Sequence, residues 1–100
     1  MNALQALADP VRVRIVESLA VRPRSVNEVV SMFNLTQPAI SHHLKVLRET
    51  GLVTSTAEGQ ARIYRLNPRP LHELDTWLQR YRKFWSSKLD DLESHMEANP

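Results

Sequence analysis

Residues 35–48 read LTQPAISHHLKVLR, and this stretch decides the fold that the sequence predicts. Thr36 can cap the N-terminus of a helix, Pro38 is tolerated in its first turn, and Gly51 can end it. Apolar side chains at helical spacing form one narrow stripe: Ile40, Leu44 and Leu47. The opposite face carries hydrogen-bonding and basic side chains: Gln37, Ser41, His42, Lys45 and Arg48.

A shorter helix is predicted immediately before this one. Ser25 and Glu28 have the spacing of a capping box, in which each side chain bonds the other's free backbone N–H. The helix that follows should turn its apolar side chains inward: Val26, Val29, Val30 and Phe33. Asn34 can adopt a left-handed turn conformation. Residues 25–50 are therefore predicted to form a helix-turn-helix.

The N-terminal region predicts two further helices. Residues 2–8 are rich in Ala and Leu and favour a short helix. Asp9 followed by Pro10 is typical of an N-cap with proline at the first helical position, and the helix should extend over about residues 10–21. Its apolar stripe comprises Val11, Ile15, Val16 and Leu19. Two basic side chains are expected off this stripe: Arg12 and Arg14.

The C-terminal half predicts a hairpin and one long helix. Residues 52–57 and 61–66 alternate in the manner of strands, with Glu58-Gly59-Gln60 between them. Prolines at 68 and 70 then break the second strand and begin a helix over about residues 70–96. Its apolar side chains recur every three or four residues: Leu71, Leu74, Leu78, Tyr81, Trp85, Leu89, Leu92 and Met96. Together these elements predict a mainly α chain of the α+β class, a winged helix-turn-helix with a two-stranded β wing.

Composition limits the function classes. The chain has 100 residues, 42% hydrophobic and 24% charged, which fits a single globular domain over residues 1–100. The absence of Cys excludes disulfides, thiolate metal sites and cysteine nucleophiles. The N-terminus lacks a secretory signal, and no run approaches the roughly 18 apolar residues of a membrane span, so we expect a cytoplasmic protein. Residues 1–66 carry eight basic and five acidic side chains, which suits a polyanionic partner.

The polar face of residues 37–48 has the chemistry of a DNA recognition helix. Ordinary surface helices favour Glu and Lys there, whereas this face carries Gln, Ser and His. Gln37 and His42 can reach base edges, and Ser41 can bond a base or a phosphate. Phosphate contacts are expected from Thr36 at the helix start and from the basic side chains of Lys45 and Arg48, and Pro38 in the first turn is counted among the DNA-binding residues. The hairpin turn at residues 57–62, with Gly59 and Arg62, has the length and charge of a wing over the minor groove.

Two strings resemble the ArsR-type (ArsR/SmtB) family of winged-helix repressors. One is ALADPVRVRI over residues 6–15; the other is the 35–48 string followed by Gly51-Leu52-Val53, and the wing end RIYRL also resembles the family. The resemblance covers roughly residues 3–66. It implies a homodimeric regulator, usually a repressor that leaves its operator when a signal arrives. It also implies that Gln37, Ser41 and His42 read bases, whereas His43 lies beside the apolar stripe and is expected to pack.

The long helix and residues 1–9 are predicted to form a dimer interface. A helix of about 25 residues is roughly 38 Å long, more than this small domain can cover by itself. The side chains expected at the interface are Leu4, Leu7, Leu74, Leu78, Tyr81, Trp85, Leu89 and Leu92. The alternative is that the helix over residues 70–97 folds back on its own domain. Two recognition helices about 34 Å apart would suit a palindromic operator.

The sequence contains no metal-binding or catalytic motif. Residues 25–29 stand where related metal sensors carry a Cys-x-Cys pair, and the His and Asp spacing of zinc sensors is missing, which favours a metal-independent subgroup. A weaker alternative is a site across two antiparallel copies of the last helix, built from His72, Asp75, Asp91 and His95. No cofactor and no enzymatic activity are predicted.

The predicted partners are double-stranded DNA and a second copy of the chain. An inducing small molecule stays open, because no motif identifies one. The alternative function is a winged helix that contacts other proteins without binding DNA, which the low net charge of +2 leaves open.

Overall fold

The computed structural model describes residues 1–98, with side chains to residue 96. The chain forms five helices and three strands in these residues. In chain order they are α1 (Ala3–Ala6), α2 (Pro10–Val21), β1 (Arg24–Ser25), α3 (Val26–Ser31), α4 (Gln37–Glu49), β2 (Val53–Glu58), β3 (Ala61–Leu66) and α5 (Pro68–Ala98). The helix-turn-helix, the hairpin and the long last helix are thereby confirmed. No helix in this part of the chain is long and apolar enough to cross a membrane.

Local side-chain chemistry starts three of the helices, α2, α3 and α4, at the predicted places. The Asp9 carboxylate accepts hydrogen bonds from the backbone N–H groups of Val11 and Arg12, at 2.8 and 3.1 Å. Ser25 and Glu28 form the reciprocal capping box at the start of α3. The Thr36 hydroxyl accepts from the N–H of Ala39 at the start of α4. Each bond satisfies a backbone donor that the first helical turn would otherwise leave free.

The sheet has three strands rather than the two that the sequence predicts. Strand order is β1-β3-β2, and both pairings are antiparallel. The added strand has two residues, with Arg24 opposite Tyr64 and Ser25 opposite Ile63. Two residues are too few to show the alternation by which a strand is identified. This pairing ties the chain between α2 and α3 to the base of the wing.

One apolar core joins the helices to the sheet. Its largest fully buried side chains come from α2, α3, α4 and the residues that begin the hairpin: Ile15, Val29, Ile40, Leu44, Leu47, Leu52 and Val53. Tyr64 of β3 closes the core with 7% of its surface exposed. Leu7 and Leu71 pack against this cluster from the two ends of the chain. The core therefore holds α4 by its apolar stripe and leaves its opposite face to solvent.

The helix α5 begins two residues earlier than predicted and leaves the body of the molecule. Its first turns pack against the core through Leu71, but from Trp77 onward its large apolar side chains are exposed. At 1.5 Å per residue its 31 residues extend over roughly 46 Å. The molecule accordingly measures 61 × 28 × 24 Å along its principal axes. The alternative in which this helix folds back on its own domain is wrong for these residues.

The position predicted for Arg12 is also wrong. The side chain lies among the buried groups with 9% of its surface exposed. Arg12 precedes Ile15 by three residues and Leu19 by seven, so helical periodicity places it on their face. That spacing is the signal in the sequence that could have located Arg12.

Candidate nucleic-acid interface

The outward face of α4 gathers the residues predicted to contact DNA. All of them are exposed: Thr36, Gln37, Pro38, Ser41, His42, Lys45 and Arg48. At 100° per residue, the positions from 37 to 48 on this face occupy an arc of about 140°. The buried stripe of Ile40, Leu44 and Leu47 lies on the other side. The helix thus presents a polar surface while its apolar surface anchors it.

The basic side chains of this face are free for a polyanion. The Lys45 ammonium lies 4.0 Å from the Glu49 carboxylate, and both side chains are more than 60% exposed. Such a pair contributes little in water. Within residues 1–96, no hydrogen bond or ion pair engages the guanidinium of Arg48. Two cations therefore follow the hydrogen-bonding side chains of Gln37, Ser41 and His42 along the same face.

The β2–β3 hairpin forms a wing beside this helix. Glu58 pairs with Ala61, so Gly59 and Gln60 are the two central residues of the turn. Gly59 has a φ of +63°, which a type II′ hairpin turn requires at its first central position. The tip is exposed over residues 56–62.

The two arginines of the wing differ in charge balance. Arg62 Nη1 donates a 3.0 Å hydrogen bond to Ser55 Oγ, a neutral partner. Arg65 donates to Thr56 Oγ1 at 2.7 Å and also pairs with the Glu58 carboxylate. Arg62 therefore keeps its net charge at the wing, whereas that of Arg65 is offset. The sequence pattern singled out Arg62 without this distinction.

The residues predicted for dimerisation line one side of the molecule. Two adjoining clefts of about 550 and 330 Å³ lie between α1 and α5 and share Leu4, Leu74 and Trp77. Leu7 and Leu74 are half-buried there, whereas Leu4 is 57% exposed. Farther along α5 the exposed apolar positions continue: Leu78, Tyr81, Phe84, Trp85, Leu89, Leu92 and Met96. A surface this apolar is unusual on a monomer.

The four residues of the alternative metal site do not lie together in the part of the chain that the structure describes. The residues His72, Asp75, Asp91 and His95 all lie on α5, and about 24 Å of helix separates Asp75 from Asp91. The Asp75 carboxylate accepts a 3.1 Å hydrogen bond from Gln79 and lies 4.0 Å from Arg82. Among the residues that the structure describes, no group of three or more His, Asp or Glu could hold a metal ion.

Two interactions near α4 were not anticipated from the sequence. Arg12 Nη1 lies 3.2 Å from Nδ1 of His43, which is half-buried as its position beside the apolar stripe leads one to expect. The Arg14 guanidinium lies 4.6 Å from the centre of the Phe33 ring. Both link α2 to the helix-turn-helix. Pairing between residues so distant in sequence leaves no local periodic signal.

Comparison with known proteins identifies relatives over most of the chain. Residues 9–55 match the model of the bacterial regulatory protein, arsR family. The HTH-type transcriptional regulator Rv2034 of Mycobacterium tuberculosis is 44% identical over 88% of this chain and 79% of its own length. The transcriptional repressor SdpR of Bacillus subtilis is 30% identical over 77% of this chain and 86% of its own.

A solved structure shows the same architecture. The crystal structure of a possible transcriptional regulator for arsenical resistance superposes with a TM-score of 0.77 at 37% identity. The match covers 95% of this chain and 96% of the other. A likeness of this extent includes the helix-turn-helix, the wing and much of α5.

Proposed function

This chain belongs to the ArsR family of bacterial DNA-binding transcriptional regulators, and we propose that it is a homodimeric repressor which binds a palindromic operator. The observation that carries the proposal is the outward face of α4. There, exposed hydrogen-bonding and basic side chains lie on a helix whose other face is anchored in the core. A helix of this kind fits the major groove of duplex DNA.

In this proposal, the base sequence is read by the N-terminal half of that face. Gln37 and His42 bond base edges, and Ser41 bonds a base or a phosphate. Thr36 caps the first turn and Pro38 lies within it, where the backbone N–H of Gln37 can meet a phosphate. Lys45 and Arg48 neutralise phosphates on either side.

The wing adds a contact in the neighbouring minor groove. Gly59 lets the hairpin turn tightly, so the narrow tip can approach the backbone. Arg62, whose charge is not offset by a carboxylate, is the side chain that enters or borders the groove. The short sheet holds this tip on the same rigid body as α4.

Two copies pair through α1 and α5. The apolar side chains that line the clefts and continue along α5 would be covered by the same surface of a second copy, as two-fold symmetry requires. Pairing places two α4 helices in successive major grooves about 34 Å apart. Operator symmetry then follows from protein symmetry.

In this proposal, binding of a metal by thiolates is not the signal that ends repression, since the chain has no Cys. We place the protein in a metal-independent subgroup, and no residue pattern identifies an inducing small molecule. It acts as a cytoplasmic protein with no enzymatic step.

Selection of bound fragments from the source genome tests the proposal. Fragments retained by the purified chain should share a two-fold symmetric sequence, and binding should weaken steeply as salt rises. Retention without any shared sequence would contradict an operator-specific repressor. A failure to bind duplex DNA even at low salt would favour the alternative, a winged helix that contacts other proteins.

A further inference from the structure

One buried guanidinium joins three helices at a single point. Arg12 of α2 donates from Nε to the carbonyl oxygen of Ala6 at 2.8 Å, and Ala6 is the last residue of α1. Its Nη1 lies 3.2 Å from Nδ1 of His43 on α4. The side chain thus connects a segment proposed for dimerisation with the helix proposed to read DNA.

The contact with Arg12 fixes the protonation of His43. A guanidinium has donors only, so Nδ1 of the ring has to accept, and the neutral ring carries its proton on Nε2. A protonated His43 would turn a second N–H toward Arg12. The hydrogen bond would then be replaced by repulsion between two cations.

The surroundings of His43 favour its neutral form. Burial lowers the pKa of His43 below its ordinary 6.5, the Asp9 carboxylate opposes this, and the cations of Arg12 and His42 add to it. These groups come from α2, its N-cap and α4. The helix α1 has no ionisable side chain and contributes only the Ala6 carbonyl.

The Arg12–His43 hydrogen bond adds a directional contact to the packing of α4, which otherwise depends on apolar side chains. Ile40, Leu44 and Leu47 hold α4 by hydrophobic burial, which has little directional preference. A hydrogen bond to the ring of His43 fixes rotation and translation of the helix as well. His42 immediately precedes His43 and faces solvent, so a rotation of α4 about its axis displaces the reading face.

We propose that Arg12 and neutral His43 form a clamp that positions α4 for DNA according to the position of α1, and that protonation of His43 opens it. This inference rests on the proposed function and makes both side chains positioning residues. Neither is exposed enough to read a base. Acidification should weaken DNA binding through His43, whereas the neighbouring His42 acts on the DNA directly.

The His43→Asn variant separates these two effects. Its amide oxygen can accept near the position of Nδ1 and does not titrate. Affinity for one retained genomic duplex is measured by fluorescence anisotropy at constant ionic strength, from about pH 8 to about pH 5. The contribution of His42 is present in both proteins, so the ratio of wild-type to variant affinity isolates His43.

We expect wild type and His43→Asn to bind with similar affinity at about pH 8. At about pH 5 the ratio of wild-type to variant affinity should be lower by roughly fivefold, which corresponds to the contribution of one hydrogen bond. His72→Asn, on exposed α5, is the matched control and should follow the wild-type profile. A ratio that stays constant across this pH range overturns the clamp. A wild-type protein that binds no duplex at any pH defeats the proposed function instead.

A second measurement does not depend on DNA. Ring ¹⁵N NMR of the free protein at about pH 8 should show His43 with Nδ1 unprotonated. Arg12→Gln removes the neighbouring cation and should raise the pKa of His43, whereas Arg14→Gln, on the exposed side of α2, should leave it unchanged. An unaltered pKa in Arg12→Gln, or a proton on Nδ1 in the wild type, contradicts the clamp.

Discussion

Arg65 is paired with the carboxylate of Glu58 across the β2–β3 wing, and this pairing distinguishes it from its neighbour on the same hairpin. Among the side chains that the structure describes, Arg62 bonds only the neutral hydroxyl of Ser55. Two arginines three residues apart therefore present different net charge to a polyanion.

Substitution of these arginines should affect DNA binding unequally. Arg62→Ala should weaken binding to all duplexes and reduce the slope of log affinity against log salt by about one unit, because one phosphate contact is lost. Arg65→Ala is the matched control and should change the slope less, since Glu58 already offsets its charge. Salt titrations by anisotropy measure both slopes. Equal changes in the two slopes would contradict a special role for Arg62.

Substitutions on α4 should fall into two groups by their effect on operator and unrelated duplex in a competition binding assay. Gln37→Ala and His42→Ala remove base contacts, and each should cost about 1–3 kcal/mol for the operator with little loss for unrelated duplex. Lys45→Ala should weaken both kinds of duplex alike, because a phosphate carries no sequence information. Equal losses on operator and unrelated DNA from all three variants would rule out the assignment of base contacts.

Charge introduced on the apolar side of α5 should break the dimer. Leu89→Glu puts a carboxylate among side chains that the second copy covers, so the mass measured by light scattering should fall to that of one chain. Ser87→Glu is the control, since it lies about 160° around the same helix. Both positions are exposed in the single chain, so its fold should survive. A dimer that persists in Leu89→Glu would show that this part of α5 lies outside the interface.

Loss of the α2 cap should destabilise the fold. Asp9→Ala removes the acceptor for two backbone N–H groups and should lower the free energy of unfolding by about 1 kcal/mol, measured by urea denaturation. Asp9→Asn can still accept these bonds and should lose less. If Asp9→Ala and the wild type unfold at the same urea concentration, the cap contributes nothing.

The Asp9 carboxylate should also make the free energy of unfolding depend on pH in the acid range. Burial by itself would raise the pKa of Asp9, but the hydrogen bonds from the N–H groups of Arg12 and Val11 outweigh it, and the pKa lies below the ordinary 3.8. The unfolded chain therefore takes up the proton first. The contribution of Asp9 is complete well above pH 3.8 and is lost as the pH falls through the folded-state pKa. The difference in stability between wild type and Asp9→Asn should accordingly shrink in this acid range.

His43 should also make the folded chain less stable as the pH falls, but in a higher pH range than Asp9. Its pKa in the folded chain is lowered, so the unfolded chain binds a proton first as the pH falls below 6.5. Stability from the neutral ring is present above 6.5 and declines below it. Urea denaturation at a series of pH values should show a smaller decline for His43→Asn than for wild type. Parallel declines would mean that the ring is not held neutral.

Much of this molecule could be predicted from short stretches of sequence. Capping residues such as Asp9, Ser25 and Thr36 start helices through bonds to neighbours two or three positions away. Gly59 and the alternation around it predict the hairpin for the same local reason. The polar face of α4 follows from helical period alone. These features depend on contacts that are close in the chain, so the sequence by itself determined them.

Contacts between distant segments were decided only by the tertiary structure. The two residues of β1 become a strand because β3 lies beside them. Arg12 is buried because the Ala6 carbonyl and the His43 ring receive its donors, and a buried charge needs such partners. Arg62 and Arg65 differ because cross-strand register brings a carboxylate to only one of them. Such partners come together only when the chain folds, so no local pattern records them.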